Sequence, residues 1–240
     1  MTFLWAAVTD PGRVRGHNED ALWPRPEDAS VARGEAAGQF LAAVADGMGG
    51  HVAGEVASRL AVETAVAVDG DAVARVRAAN EAVFATSLDR PRLAGMGTTM
   101  TLALFSGEHV EIGHIGDSRA YLYRQGELQQ LTRDHSLVAE MVAAGEIRPE
   151  EAAAHPFRSV ITRALGMESR VAVDRVEREL LPGDRCLICS DGLNTMLHHD
   201  EIAALLAEPD GPAAAAALIR AANRAGGLDN ITVILVDVRS

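Results

Sequence analysis

The chain has 240 residues, 48% hydrophobic and 23% charged, which fits a globular domain and excludes a disordered or low-complexity chain. With 22 Lys and Arg against 34 Asp and Glu, its formal net charge is −12. That balance argues against nucleic acid or an anionic membrane surface as a partner, because both reward basic patches. It does not say where the acids sit.

In chain order, short β-like runs alternate with helical ones. Strands are expected at Phe3–Thr9 and Gln39–Ala45, then two long helices at Glu55–Val68 and Ala72–Ser87. The runs Thr98–Phe105, Val110–Ile115 and Ala120–Arg124, and the chain on to about Leu131, follow one another through the short turns Ser106-Gly107-Glu108 and Gln125-Gly126-Glu127, which predicts an antiparallel meander rather than a βαβ series. A helix at Leu137–Ala144 leads into the irregular stretch Gly145–Ser159, a helical excursion of the kind that often borders a site. Strands are expected again at Val171–Glu177, Arg185–Ser190 and Ile231–Val238, with helices at Glu201–Ala207 and Ala213–Ala225. The last helix is well punctuated: Asp210 can cap it, Pro212 suits its first turn and Gly226-Gly227 stops it. This order reads as α+β, sheets covered by helix pairs.

The N-terminus MTFLWAAVTDPG has neither the basic nor the apolar region of a signal peptide, and no run of 18 apolar residues occurs. A cytoplasmic chain, with no membrane partner, is the expectation. Cys186 and Cys189 form a lone C-x-x-C inside a predicted buried strand, so they are expected in the core, on opposite faces, rather than as zinc or redox ligands. The chain ends at Ser240, directly after the last expected strand, so regulation is expected from outside it.

Asp46, Asp117, Asp191 and Asp229 share a context: each lies just after, or just before, an apolar strand-like run. One such Asp is ordinarily a turn residue or a cap. Several of them at strand ends repel one another if they meet, and a hard divalent cation is the natural remedy. The loop Asp46-Gly47-Met48-Gly49-Gly50 lets backbone approach an ion. It is not a dinucleotide fingerprint, because Val52 occupies the sixth position and no βαβ unit surrounds it.

Together these segments resemble the PPM family, the metal-dependent type 2C Ser/Thr protein phosphatases, in their compact bacterial form. The resemblance runs in order through TDPGRVRGHNED (Thr9–Asp20), VADGMGGHVAGEVAS (Val44–Ser58), GMGTTMT (Gly95–Thr101), GDSRAYLYR (Gly116–Arg124), LTRDHS (Leu131–Ser136), HPFRSVITRALG (His155–Gly166), CSDGL (Cys189–Leu193) and DNITVI (Asp229–Ile234). It implies a single catalytic domain over residues 1–240, a central antiparallel β-sandwich flanked by helix pairs, with a flap near residues 136–160.

It further implies a pair of Mn²⁺ or Mg²⁺ ions and a weaker third. Asp46 matches the bridging aspartate, Gly47 the next carbonyl ligand, and Asp191 and Asp229 the ligands of the first ion. Asp134 matches a third-ion ligand acting with Asp191. Glu19 and Asp20 match acids working through waters, and Arg15 an arginine that contacts the substrate phosphate. Thr98, Thr99 and Asp117 match structural positions. The implied reaction is attack of a metal-bridging hydroxide on phosphoSer or phosphoThr, counteracting a Ser/Thr kinase. Some relatives carry a histidine two residues after the bridging aspartate; here that position is Met48. The general acid is left open among His51, His135 and a metal-bound water. Arg163 is a weaker candidate for organising the site. A monomer acting on phosphorylated proteins is expected. Two rival classes stay open: a non-catalytic phosphoprotein-binding scaffold, and a metal-dependent esterase of small phosphorylated metabolites.

Overall fold

The computed structural model describes residues 1–26, 31–49, 52–152 and 154–240. Among them run the strands β1 (Thr2–Asp10), β2 (Asp20–Trp23), β3 (Ala32–Ala37), β4 (Gln39–Met48), β5 (Gly97–Thr98), β6 (Met100–Ser106), β7 (His109–Ile115), β8 (Arg119–Arg124), β9 (Glu127–Gln130), β10 (Asp174–Glu179), β11 (Arg185–Cys189) and β12 (Ile231–Arg239). The helices are α1 (Val52–Ala67), α2 (Ala72–Asp89), α3 (Leu137–Ala143), α4 (Pro149–Ala152), α5 (Asp191–Asn194), α6 (His199–Leu206) and α7 (Gly211–Arg224).

The strands form two antiparallel sheets, in the orders β3-β1-β12-β11-β8-β9 and β10-β7-β6-β4-β2, with the short β5 paired to β4. Three apolar layers stack through the molecule. Phe3, Ile188 and Val236 of the first sheet meet Phe40, Phe105 and Ile112 of the second. Outside the first sheet, Leu187, Val233 and Leu235 pack on Leu197, Ile202 and Leu218 of the α5–α7 region. Outside the second, Ala43, Met100 and Leu102 pack on Ala57, Val62, Val76 and Val83 of α1 and α2. The strand β12 is apolar almost throughout because both its faces are covered. The predicted helix-covered sandwich is what forms.

The differences from expectation have local causes. Val171 and Val173, expected to open a strand, instead pack against the α1–α2 layer, and the ladder starts at Asp174. The run expected from Thr98 is interrupted at Thr99, whose N–H donates to the Asp46 carbonyl at 2.9 Å instead of to a ladder partner. The meander expected to about Leu131 is completed by β9, whereas the short margin strands β2 and β3, four and six residues long, were not expected. Cys186 faces the layer between the sheets and Cys189 the helix layer, as the strand period requires. Asp210 accepts from the Ala213 N–H at 3.0 Å and caps α7 as expected.

Register brings five chain segments to one edge. Asp20 at the start of β2 lies opposite Asp46 near the end of β4. The end of β7 lies opposite the start of β6, so the Gly116–Ser118 turn joins the same edge. In the other sheet, the end of β11 faces the starts of β8 and β12. That places Asp191 and Asp229 there too.

Candidate metal centre

Asp46 is held through its backbone. Its N–H donates to Thr99 Oγ1 at 2.9 Å, and its carbonyl accepts from the Thr98 hydroxyl at 2.8 Å and the Thr99 N–H. The backbone thus fixes the residue while the carboxylate is left to the site. At Gly47 a Cβ would stand 2.1 Å from the Gly54 carbonyl oxygen, so only glycine lets the loop lie flat on α1. The Gly47 N–H and the Ser58 hydroxyl both donate to the Glu19 carbonyl, tying the loop, α1 and the β2 entry together.

Asp20 shows how one carboxylate is divided. Its Oδ2 accepts from the hydroxyls of Ser190 at 2.7 Å and Thr232 at 2.6 Å, whereas its Oδ1 is buried without a partner. Asp117 Oδ1 and Asp191 Oδ1 are likewise buried and unpartnered among the described residues. Burial, then mutual repulsion, raises all of these acids. Asp20 and Asp117 are pushed up to about 7 and Asp191 to about 6, and Asp46 is driven well above the ordinary carboxylate value, with Asp20, Asp191, Asp117 and Asp229 as its charged neighbours.

Asp229 is the neutralised member: Arg15 Nη2 donates to its Oδ2 at 2.8 Å. Asn230 holds the loop that carries Arg15 and Glu19. Its Nδ2 donates to the carbonyls of Pro11 and His17, and its Oδ1 accepts from the Glu19 N–H. A cavity of about 540 Å³ opens beside Arg15, Asp117, Asp191 and Asp229, with Arg158 and Ser159 of the flap segment on its wall.

The structure therefore gathers Asp20, Asp46, Asp117, Asp191 and Asp229, with Gly47, Glu19 and Arg15 at the margin. Two expectations change. Asp134 lies on the wall of the same cavity, but its carboxylate is already paired: the Arg119 guanidinium grips both its oxygens at 2.7–3.1 Å, and Gln130 Nε2 donates to it at 3.2 Å. Asp117, set aside as a structural position, is the acid with the unpartnered oxygen beside Asp191. The signal for it was present in the Gly116-Asp117-Ser118 turn, which matches the other strand-end aspartates. His135 is buried, its Nδ1 accepts from the Gly116 N–H at 3.0 Å, and its Nε2 stands 3.2 Å from Asp174; burial lowers its pKa. With its side chain 1% exposed, the ring presents no nitrogen to the cavity. His51 lies outside the described residues. Arg163 pairs with Asp174 at 2.8 Å, on the flap side.

Unpartnered carboxylate oxygens in mutual repulsion, with all-oxygen donors, fit a hard divalent cation rather than a thiolate- or imidazole-seeking one. Among the described residues, no three His, Cys, Asp or Glu side chains stand in a closed ligand set; the acids converge without wrapping an ion.

The protein phosphatase 2C family model matches residues 24–218, and the chain belongs to that family. It is 45% identical to the serine/threonine protein phosphatase PstP of Mycobacterium tuberculosis, over 99% of this chain and 45% of that protein. The chain thus spans less than half the length of this curated relative. It is 38% identical to the serine/threonine phosphatase stp of Listeria welshimeri, covering 95% of this chain and 93% of that one. A crystal structure of the M. tuberculosis phosphatase superposes with a TM-score of 0.89 at 42% identity, covering all of both chains. A structure of the PstP catalytic domain in complex with two manganese ions superposes at 0.85 with 41% identity, again over all of both chains.

Proposed function

We propose that this chain removes phosphate from phosphoserine and phosphothreonine in proteins, in a reaction that depends on Mn²⁺ or Mg²⁺. The observation that carries this reading is the crowding of Asp20, Asp46, Asp117 and Asp191, none of them in an ion pair among the described residues, next to the Arg15-paired Asp229 and a cavity lined by Asp117, Asp191 and Asp229. Asp46, Asp191, Asp229 and the Gly47 carbonyl are assigned to a pair of ions, Asp20 and Glu19 to waters around them, and Asp117 in place of Asp134 to a third, weaker ion with Asp191. Bound divalent ions supply positive charge that acidifies a water near neutral pH and offsets charge on the phosphoryl group.

The chain's own residues do the rest. Arg15 is half-exposed at the cavity, and its guanidinium can turn from Asp229 to fork two phosphoryl oxygens. Ser190 and Thr232 hold Asp20 so that only its Oδ1 faces the cluster. Water attacks phosphorus in line, the bond to the serine or threonine oxygen breaks, and that oxygen takes up a proton; no residue is phosphorylated on the way. His51 keeps its candidacy as the proton donor.

On this reading residues 1–240 form one catalytic domain with its flap at about 136–160. It acts as a cytoplasmic monomer on substrates of a cognate Ser/Thr kinase, and the net charge of −12 supports the exclusion of nucleic acid and membrane. The deciding assay is Mn²⁺-dependent hydrolysis of phosphoSer, phosphoThr and phosphoTyr peptides beside phosphorylated metabolites. Release of phosphate from the first two classes, abolished by chelator, is expected. Equal rates for wild type and Asp46→Asn, or preference for the metabolites, would sink the proposal.

A further inference from the structure

The base of the flap, Val160–Leu165, is stitched to the sandwich at two points. At one, the Leu165 N–H donates to the Thr98 carbonyl at 2.8 Å and the Thr98 N–H to the Leu165 carbonyl at 3.2 Å, and the Thr98 hydroxyl continues to the Asp46 carbonyl. At the other, the Thr162 N–H donates to the His135 carbonyl at 2.8 Å, and the Leu137 N–H to Val160. His135 is in turn held by two hydrogen bonds to the turn that carries Asp117: its N–H donates to the Gly116 carbonyl at 2.8 Å, and its Nδ1 accepts from the Gly116 N–H.

Because Nδ1 is an acceptor, the ring proton sits on Nε2. That nitrogen lies 3.2 Å from Asp174 Oδ2, off the axis of a good hydrogen bond, so the attraction is electrostatic rather than a directed bond. The other oxygen of Asp174 accepts from Arg163 at 2.8 Å, and Arg163 stands between the two stitches. The chain Gly116–His135–Asp174–Arg163 thus closes on itself through the Thr162 N–H. The side chains of His135 and Asp174 differ sharply in exposure, 1% against 40%, so the link runs from the interior out to the flap.

We propose that His135 is a positioning residue: with Asp174 and Arg163 it forms a clasp that fixes the flap base to the turn bearing Asp117, so that ion binding at the acids and the order of the flap are coupled. The proposal rests on the reading of the acid cluster as an ion site. The clasp is one of two arms. The Thr162 amide reports on the His135 arm and the Leu165 amide on the Thr98 arm.

The test is amide hydrogen exchange with and without Mn²⁺, alongside calorimetry of Mn²⁺ binding, for wild type, His135→Asn and Asp174→Asn. The Asn Oδ1 replaces the Nδ1 acceptor for Gly116 but is too short to reach Asp174. In wild type, Mn²⁺ is expected to slow exchange of both amides about tenfold, an ordinary size for coupling between sites. In both variants the slowing at Leu165 persists and that at Thr162 falls below about twofold. The KM for a phosphopeptide rises about fivefold and kcat changes by less than about twofold, a split that a general loss of stability does not produce.

The clasp is overturned if Mn²⁺ binds and Thr162 is slowed equally in wild type and variants. It is also overturned if Mn²⁺ binds to wild type without slowing Thr162, or if both amides lose their response together. Absence of Mn²⁺ binding to wild type overturns the ion-site reading and the clasp with it. If His135→Asn does not fold, Asp174→Asn, at a part-exposed position, decides.

Discussion

Two groups of acids in this molecule are treated in opposite ways. At the end of the sandwich away from the site, Asp237 lies between Arg185 Nε and Nη2 at 2.5 and 3.0 Å, and Asp184 takes the fork of Arg124 at 2.7 and 2.6 Å and the Leu181 N–H. Arg185 also donates to the carbonyls of Leu206, Glu208 and Pro209, so this interior charge has a partner on every side. At the site edge, Asp20, Asp117 and Asp191 each keep a buried oxygen with no partner among the described residues. The chain is able to neutralise a buried acid, and at one edge it does not. Leaving charge unpaired costs stability, so the unpaired group marks where something other than the fold supplies the counter-charge.

The largest effect that separates the groups is on stability. Asp237→Ala leaves Arg185 buried and uncompensated, and is expected to cost about 3–5 kcal/mol in urea unfolding. Asp46→Asn does the reverse. It removes a repelling charge, so the metal-free protein keeps or gains stability, while Mn²⁺-dependent turnover falls at least about a hundredfold, since even supporting residues of metal sites cost ten- to a hundredfold. A destabilised, still active Asp46→Asn erases the contrast.

The second measurement is the pH dependence of metal-free stability. A carboxylate whose folded pKa lies above its unfolded value stabilises the fold fully below the unfolded pKa, and the contribution is lost as pH rises through the folded one. For Asp20 and Asp117 that window runs from about 4 to about 7, and for Asp191 to about 6. Metal-free protein is therefore expected to lose on the order of 2 kcal/mol, about 4–8 °C in Tm, between pH 4.5 and 7.5, beyond what the rest of the chain contributes. Mn²⁺ is expected to flatten that slope. A Tm that rises steadily with pH without metal contradicts the unpaired cluster.

The contrast also explains what could be read before the fold was known. The strand-end positions of Asp46, Asp191 and Asp229 and the glycines after Asp46 were visible because turn chemistry is local. The α1–α2 pair and the buried strand β12 were visible because periodicity is local. Partnering is not local. Nothing near Asp134 in sequence announces that Arg119, across the β8–β9 hairpin, will take both its oxygens, nor that Gly116 will occupy the ring of His135. Asn230, which ties down the loop before Asp20, looked like an ordinary neighbour of an aspartate because its partners lie more than two hundred residues away. The edge strand β3 was missed for a related reason: its ARGEAA sequence has little β propensity and is held by pairing with β1.

The smallest effect is the most discriminating, because it compares two acids that neighbour the same site. Asp134 is paired and Asp117 is not, so the two substitutions to Asn should part company in metal dependence. In Asp117→Asn the unpartnered oxygen facing Asp191 becomes part of a neutral amide, and the Mn²⁺ concentration for half-maximal activity should rise about tenfold. In Asp134→Asn the loss falls on the fork with Arg119, a part-buried ion pair. Stability should drop by about 1–2 kcal/mol, and the Mn²⁺ midpoint should stay within about threefold of wild type. Titrating Mn²⁺ against hydrolysis of one phosphopeptide for the three proteins measures both midpoints. If Asp134→Asn shifts the midpoint and Asp117→Asn does not, Arg119 must release Asp134 when ions bind. The paired and unpaired acids would then be two states of one site rather than two kinds of residue.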